Sequence, residues 1–347
     1  MAEAANLYKV TPRQLREFVK DIWFAGLVPY IRGSPGTAKS SVVRSVSKEH
    51  NLKMIDHRVS TSEPTDFSGL PTFKDGMARF APFDELFPIE STPLPEGFDG
   101  WSVFLDEFNS GLKPVQAASY KLILDKMTGQ HKLHERVVLT LAGNLDTDRA
   151  ITNMISTALQ SRVIHLEVEI HFGEFMEDVA IKDGWDSRII AYLNQYESKL
   201  MDFRPDHNER TFCCPRTWEF VNKLIQGKVI SDRHSTLLAG TITSGVAVDF
   251  VQFCQIYKQL ITVRQIMNDP RGTEVPYDSS LKWATITHMN EKTTDDNFDD
   301  LSTYANRFSL DFRILFYRST MIRYPHLRKH PAFSKAMVEL SRYLTAA

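Results

Sequence analysis

The chain has 347 residues, room for two or three domains. Hydrophobic residues make up 42% and charged residues 24%, which excludes wholesale disorder. Lys plus Arg number 41 against 43 Asp plus Glu, a formal charge of -2, which argues against a histone-like or tail-driven nucleic-acid binder. Three cysteines, Cys213, Cys214 and Cys254, make no disulfide framework and fit a reducing compartment. No apolar run of 18 residues and no secretory leader pattern is present, so a soluble cytoplasmic chain without a membrane span is expected.

In chain order, residues 11–26 predict a helix. Thr11 can cap it, Pro12 suits its first turn, and Leu15, Phe18, Val19 and Ile22 share a face. Residues 27–31 read as a short buried strand, followed by a glycine-bearing loop and a helix from about Ser40. Four further strands are expected at 54–59, 102–105, 137–141 and 163–168, with a helix at 113–127. Strands alternating with helices imply a mostly parallel, doubly wound sheet. An Asp-Gly turn at 75–76 predicts a hairpin over 72–80, followed by a proline-rich segment through Pro82, Pro88, Pro93 and Pro95.

Beyond residue 170 the strand signals fade, and helices are expected at 187–201, 215–225 and 237–261. Residues 291–300 carry five acids and one lysine, a solvated connection. The next helix sets Phe298, Leu301, Ala305, Phe308, Phe312 and Leu315 along one stripe, which reads as core or partner packing. Residues 301–347 hold eight Lys/Arg against two Asp/Glu. A solvated basic helix face is the favoured reading there, ahead of phosphate-backbone binding.

The stretch Gly33-Ser34-Pro35-Gly36-Thr37-Ala38-Lys39-Ser40 follows the first strand and opens a helix. A triphosphate concentrates several negative charges, and a loop that turns its backbone N–H groups around them needs glycines and small residues. Lys39 would reach the β- and γ-phosphates and the Ser40 hydroxyl would ligate Mg²⁺. Ala38 stands where glycine is usual in this pattern. It fits if the backbone there is helical and is strained if φ is positive.

A second signal is the apolar strand Val103-Phe104-Leu105 that ends in Asp106-Glu107. Strands of a parallel sheet direct their C-terminal ends at the ligand crevice. Asp106 would hold the Mg²⁺ there, through water or through Ser40, and Glu107 would orient and deprotonate an attacking water. A third strand ends in Asn144, whose amide can hydrogen-bond both that water and a γ-phosphate. Arg162 precedes the last strand and could stabilise phosphoryl charge on a neighbouring subunit. Arg149 flanks the same helix and competes for that role, and Arg216 follows Pro215 at the start of a later helix, from which it could touch the phosphates in cis.

Taken together, this order of motifs resembles the AAA+ ATPases, and within them the MoxR group, over roughly residues 10–260. The Ala-Lys-Ser ending of the loop and Asn109, Pro114 and Gln116 after the Asp-Glu pair resemble the MoxR pattern, from which Ser110 departs. The resemblance implies an α/β fold with a P-loop AAA+ parallel sheet core over 1–170, an α-helical lid over 171–260 and a helical C-terminal extension over 261–347. It also implies ATP and Mg²⁺ as ligands, Lys39 and Ser40 in Walker A, Asp106 and Glu107 in Walker B, and Asn144 as sensor 1. Arg162 would be the arginine finger and Arg216 sensor 2. The hairpin at 72–80 would be the helix-2 insert, and residues 129–135 a hairpin before sensor 1. The partners implied are further copies of the chain in a ring, commonly a hexamer, and a protein client, often one with a von Willebrand factor A domain.

Two other readings compete. A DNA-loading or translocating ATPase is suggested by the basic C-terminal segment and by Arg79, Lys132 and Arg136 in or beside the hairpins, against the near-neutral charge. A nucleotide switch without turnover is opposed by Asp106, Glu107 and Arg162. The pairs His326/His330 and Cys213/Cys214 lack the partners of a zinc site.

Overall fold

The computed structural model describes residues 6–83, 85–148 and 153–344. The chain divides into two compact units, one running to Ile170 with Arg204–Asp206 added, the other formed by His171–Phe203 and the residues from His207 on.

The first unit is built on a six-stranded sheet, every neighbouring pair of which is parallel. The strands are β1 (Lys9–Val10), β2 (Pro29–Arg32), β3 (Leu52–Arg58), β6 (Gly100–Asp106), β9 (Val137–Gly143) and β10 (Ile164–Val168), with β4 (Leu70–Lys74), β5 (Met77–Ala81), β7 (Met127–Thr128) and β8 (His131–Lys132) in two small hairpins. Their order across the sheet is β1-β10-β2-β9-β6-β3. Five of these strands follow from the sequence pattern. The sixth, β1, has two residues, too few for any alternation to show, and is held by pairing Val10 with Val168.

Both faces of the sheet are covered. Helix α1 (Pro12–Phe24) starts in a reciprocal cap: Thr11 Oγ1 accepts from the Gln14 amide and the Gln14 side chain accepts from the Thr11 amide. It buries Leu15, Val19, Ile22 and Trp23, together with Val43 and Val46 of α2 (Lys39–Glu49), against Ile31, Phe104 and Ala142. Phe18, expected on that face, lies at its margin and is 41% exposed; Trp23 takes its place. On the opposite face Val115, Leu122 and Ile123 of α3 (Lys113–Asp125) pack on Val103, Leu105, Leu139 and Leu141. Burial on two sides explains why β2 and β6 read as continuous apolar runs.

The hairpin over 72–80 is present, with β4 at Leu70–Lys74 and β5 at Met77–Ala81. Asp75 and Gly76 both take positive φ, 54° and 75°, as a two-residue turn of the primed type requires. The second hairpin is shorter than 129–135: β7 is Met127–Thr128 and β8 is His131–Lys132.

The second unit is helical, and three expectations are corrected in it. The run 237–261 forms two helices, His234–Ile242 and Ser244–Ile256, because Thr243 adopts φ 74°, ψ 157° and ends the first. The stripe from Phe298 to Leu315 is likewise divided, into Phe298–Ala305 and Leu310–Arg323, although all six of its apolar residues are buried. The basic segment is not a solvated face over its first half. Arg313 bonds Glu339 at 2.5 Å and Arg318 pairs with Glu177 at 3.0 Å. Arg307 donates to the carbonyls of Pro270 and Thr273, and Arg323 to those of Ile181 and Trp185. These guanidinium groups tie helices and loops together within the unit.

Thr243 holds a β-branched side chain in a backbone region suited to glycine, a strain of about 1–3 kcal/mol. Thr243→Gly relieves it and gives back part of the gain through a freer unfolded chain. Urea unfolding is expected to show the variant more stable by about 1 kcal/mol; an unchanged or lower midpoint at equal slope contradicts the strain.

Candidate functional site

Three strand ends meet at one edge of the sheet. Arg32, the last residue of β2, lies opposite Gly143 of β9, and Leu105 of β6 lies opposite Leu141 of β9. The segments that follow these strands begin at Gly33, Glu107 and Asn144, and neighbouring strands are spaced by about 4.8 Å. The parallel register therefore brings the three sequence motifs to a common crevice.

The loop from Gly33 to Ser40 is closely wound. The Gly33 amide donates to the Gly143 carbonyl at 3.3 Å, and Thr37 Oγ1 donates to the Ser34 carbonyl at 2.7 Å. A Cβ on Gly33 would stand 2.8 Å from Thr37 Oγ1 and 3.1 Å from the Val168 carbonyl, so a side chain is excluded there. Gly36 has φ 82° and Ala38 φ 66°, ψ 13°. Ala38 thus falls in the strained alternative: the position requires left-handed backbone. Helix α2 starts at Lys39 without a side-chain cap. Its first-turn amides lack intrahelical acceptors, and the positive end of the helix dipole faces the loop. This is a geometry suited to an anion. Lys39 is almost buried, and its ammonium donates to the loop's own carbonyls at Gly33 (2.6 Å) and Ser34 (3.1 Å).

Ser40 Oγ lies 3.2 Å from Asp106 Oδ2. The other oxygen of that carboxylate accepts the Glu107 amide at 2.8 Å, which fixes the sharp turn in which Glu107 takes φ 54°. A hydroxyl and a carboxylate oxygen in contact beside a loop suited to an anion form a donor set fitting Mg²⁺, a hard cation that keeps several waters. One helical turn beyond Ser40, Arg44 pairs with Asp56 of β3 at 3.1 Å. Burial, and then the charge of Asp106, push the Asp56 carboxyl above its ordinary range.

Asn144 is half-buried beyond the end of β9. Its amide donates to Asn109 Oδ1 at 3.1 Å and its carbonyl accepts from Asn109 Nδ2 at 2.8 Å. Arg162 is exposed, and its guanidinium donates to the Ala158 carbonyl at 3.0 Å. It precedes β10, whose first residue Ile164 lies opposite Pro29, the first residue of β2. Arg162 is therefore at the far end of β2 from the loop at residues 33–40. Arg216 is exposed in the first turn of the helix Pro215–Ile225, in the second unit. Arg149 lies outside the described residues.

Two site residues escape a reading of sequence alone. Ser60, just beyond the end of β3, donates its hydroxyl to the Glu107 carboxylate; only the pairing of Arg58 with Asp106 puts it there. Asp148, four residues after Asn144, accepts from Ser34 Oγ at 3.1 Å, and its near-complete burial raises its pKa.

No family model matches the chain, and no curated protein matches it. Solved structures with a likeness include a suggested ATPase of Cytophaga hutchinsonii ATCC 33406, at 12% identity over 96% of this chain and 90% of that one, with a TM-score of 0.37. They also include the RuvB Holliday junction branch migration motor of Thermotoga maritima, at 15% identity over 73% of this chain and 76% of that one, again with a TM-score of 0.37. The class defined by the fold itself is α/β, a parallel sheet whose central strand runs through a glycine-bearing loop into a helix.

Left-handed backbone costs an alanine about 1–2 kcal/mol. Ala38→Gly is expected to raise the stability of the first unit by about 0.5–1 kcal/mol after the unfolded-state penalty. Differential scanning calorimetry checks this; a destabilised variant contradicts the left-handed assignment.

Proposed function

We propose that the protein is an AAA+-type ATPase, that Mg²⁺-bound ATP occupies the loop at residues 33–40, and that hydrolysis proceeds at the adjoining Asp106-Glu107 turn. The observation that carries this reading is the contact of Ser40 with Asp106. It joins a loop shaped for phosphate to a paired carboxylate on a separate strand. In this reading the loop amides and Lys39 hold the polyphosphate, and Ser40 and Asp106 hold the cation, which would offset phosphate charge. Glu107 takes the proton of the attacking water once its carboxylate is released from Ser60, and Asn144 orients that water.

Arg162 then acts on a neighbouring subunit. Its place at the opposite end of β2 supports this, because it leaves the phosphates of its own chain out of reach across a strand of about 13 Å. An arginine supplied in trans makes turnover depend on assembly, in keeping with a ring, commonly a hexamer. Arg216 would act as sensor 2 from a lid formed by residues 171–260. The Ala38-Lys39-Ser40 ending, Asn109 and the exposed hairpin Leu70–Ala81 support placement in the MoxR group. The corresponding role is remodelling a cytoplasmic protein client, a von Willebrand factor A domain protein being the class the resemblance suggests. The DNA-directed alternative loses part of one of its motives, since Arg307, Arg313, Arg318 and Arg323, four of the eight basic residues after residue 300, serve contacts inside the second unit. No helix among the described residues is long and apolar enough to cross a membrane.

Glu107→Gln is expected to bind MgATP with a Kd within about twofold of the unaltered protein and to lose at least a hundredfold in kcat, the usual worth of a general base. Steady-state phosphate release and equilibrium nucleotide binding measure the two quantities. Turnover at the unaltered rate would remove Glu107 from the base role.

A further inference from the structure

Asn109 has no step in the proposed hydrolysis, yet it bridges two of the segments that leave the strand ends. It is 2% exposed and sits in the short turn Phe108–Ser110 that follows Glu107. Its side-chain amide makes a two-point pairing with the backbone of Asn144: Oδ1 accepts the Asn144 N–H and Nδ2 donates to the Asn144 carbonyl. A planar group that presents one acceptor and one donor in this fork is a primary amide; a carboxylate offers acceptors alone and a hydroxyl is too short. The two bonds also fix the orientation of the amide.

The surroundings are shaped to keep this fork in place. A Cβ on Gly143 would stand 2.4 Å from Asn109 Oδ1, so only glycine precedes Asn144 without displacing it. The Asn109 carbonyl accepts from the Asn153 amide at 2.6 Å, and Asn153 Nδ2 donates to the Gly111 carbonyl at 3.0 Å. Gln116, itself buried, donates to that same Gly111 carbonyl at 3.1 Å. The turn is thus held from α3, from the segment after β9, and through Asp106 from β6.

We infer that Asn109 is a positioning residue of the hydrolytic centre: it locks the Asn144 backbone to the Glu107 turn, so that Asn144 and Glu107 are presented to the attacking water at a fixed separation. This rests on the proposed ATPase reading and adds a residue to it. Glu107 and Asn144 follow different strands, and the ladder between those strands ends at Leu105–Leu141, before either is reached. The Asn109 fork continues the coupling where the ladder stops.

The test is a double-mutant cycle on the full chain with Asn109→Ala, Asn144→Ala and the pair, with Glu107→Gln as control. Asn109→Ala is expected to lower kcat by about ten- to a hundredfold, as small misplacements of reacting groups do, and to leave the Kd for MgATP within about twofold. The double variant is expected to be no slower than Asn144→Ala alone, because no side chain is left to position. Fully additive losses, or an Asn109→Ala variant as fast as the unaltered protein, overturn the inference. Gly143→Ala, which displaces the fork without altering its chemistry, should reproduce the Asn109→Ala loss and serves if that variant does not fold. Amide hydrogen exchange at Asn144 distinguishes loss of the fork from loss of turnover. If the unaltered protein hydrolyses no ATP, the ATPase reading fails, while faster exchange at Asn144 in Asn109→Ala still supports the fork. Unchanged exchange there overturns the fork whatever the turnover.

Discussion

Arg32 opposite Gly143, and Leu105 opposite Leu141, set three parallel strands in a register that leaves their outgoing chains side by side. A slip of one residue in either ladder would turn every inward side chain of the displaced strand to the other face. The buried residues of both faces forbid it: Ile31, Phe104 and Ala142 pack under α1 and α2, while Tyr30, Val103, Leu105 and Leu141 pack under α3. Core packing thus determines the separation between the loop at residues 33–40 and the paired carboxylates. The apolar interior and the polar crevice are consequences of the same register.

At the crevice the chain departs from relaxed geometry. Ala38 and Glu107 both hold left-handed backbone, each at about 1–2 kcal/mol, and each stands where a strand or loop turns abruptly. At Ala38 the turn aims the first amides of α2 into the loop. At Glu107 it breaks the direction of β6 so that Asp106 faces Ser40 while Glu107 reaches Ser60. Thr243, in the second unit, shows the same kind of strain with no site yet attached to it.

Much of this was legible from residue order. The glycine-bearing loop at residues 33–40, the Asp106-Glu107 strand end and the Asn144 strand end each carry a local pattern, and strand–helix alternation places such ends at one edge of a parallel sheet. The Asp75-Gly76 hairpin was legible because two consecutive positive φ values favour those residue types. What stayed hidden was set by tertiary packing. Lys9–Val10 is a strand only because Val168 is beside it. Ser60 and Asp148 join the site through strand pairing and burial, which no spacing encodes. The breaks at Thr243 and around Ser309 interrupt apolar stripes that continue in sequence, and Arg307, Arg313, Arg318 and Arg323 find partners distant in the chain.

The most direct measurement is a crystal structure of the protein with Mg²⁺ and a non-hydrolysable ATP analogue. The account predicts phosphate oxygens among the amides of residues 36–40, Lys39 transferred from the Gly33 and Ser34 carbonyls to the phosphates, and a metal ion between Ser40 and Asp106. Triphosphate density elsewhere on the chain, with Lys39 still on its own loop carbonyls, would contradict it.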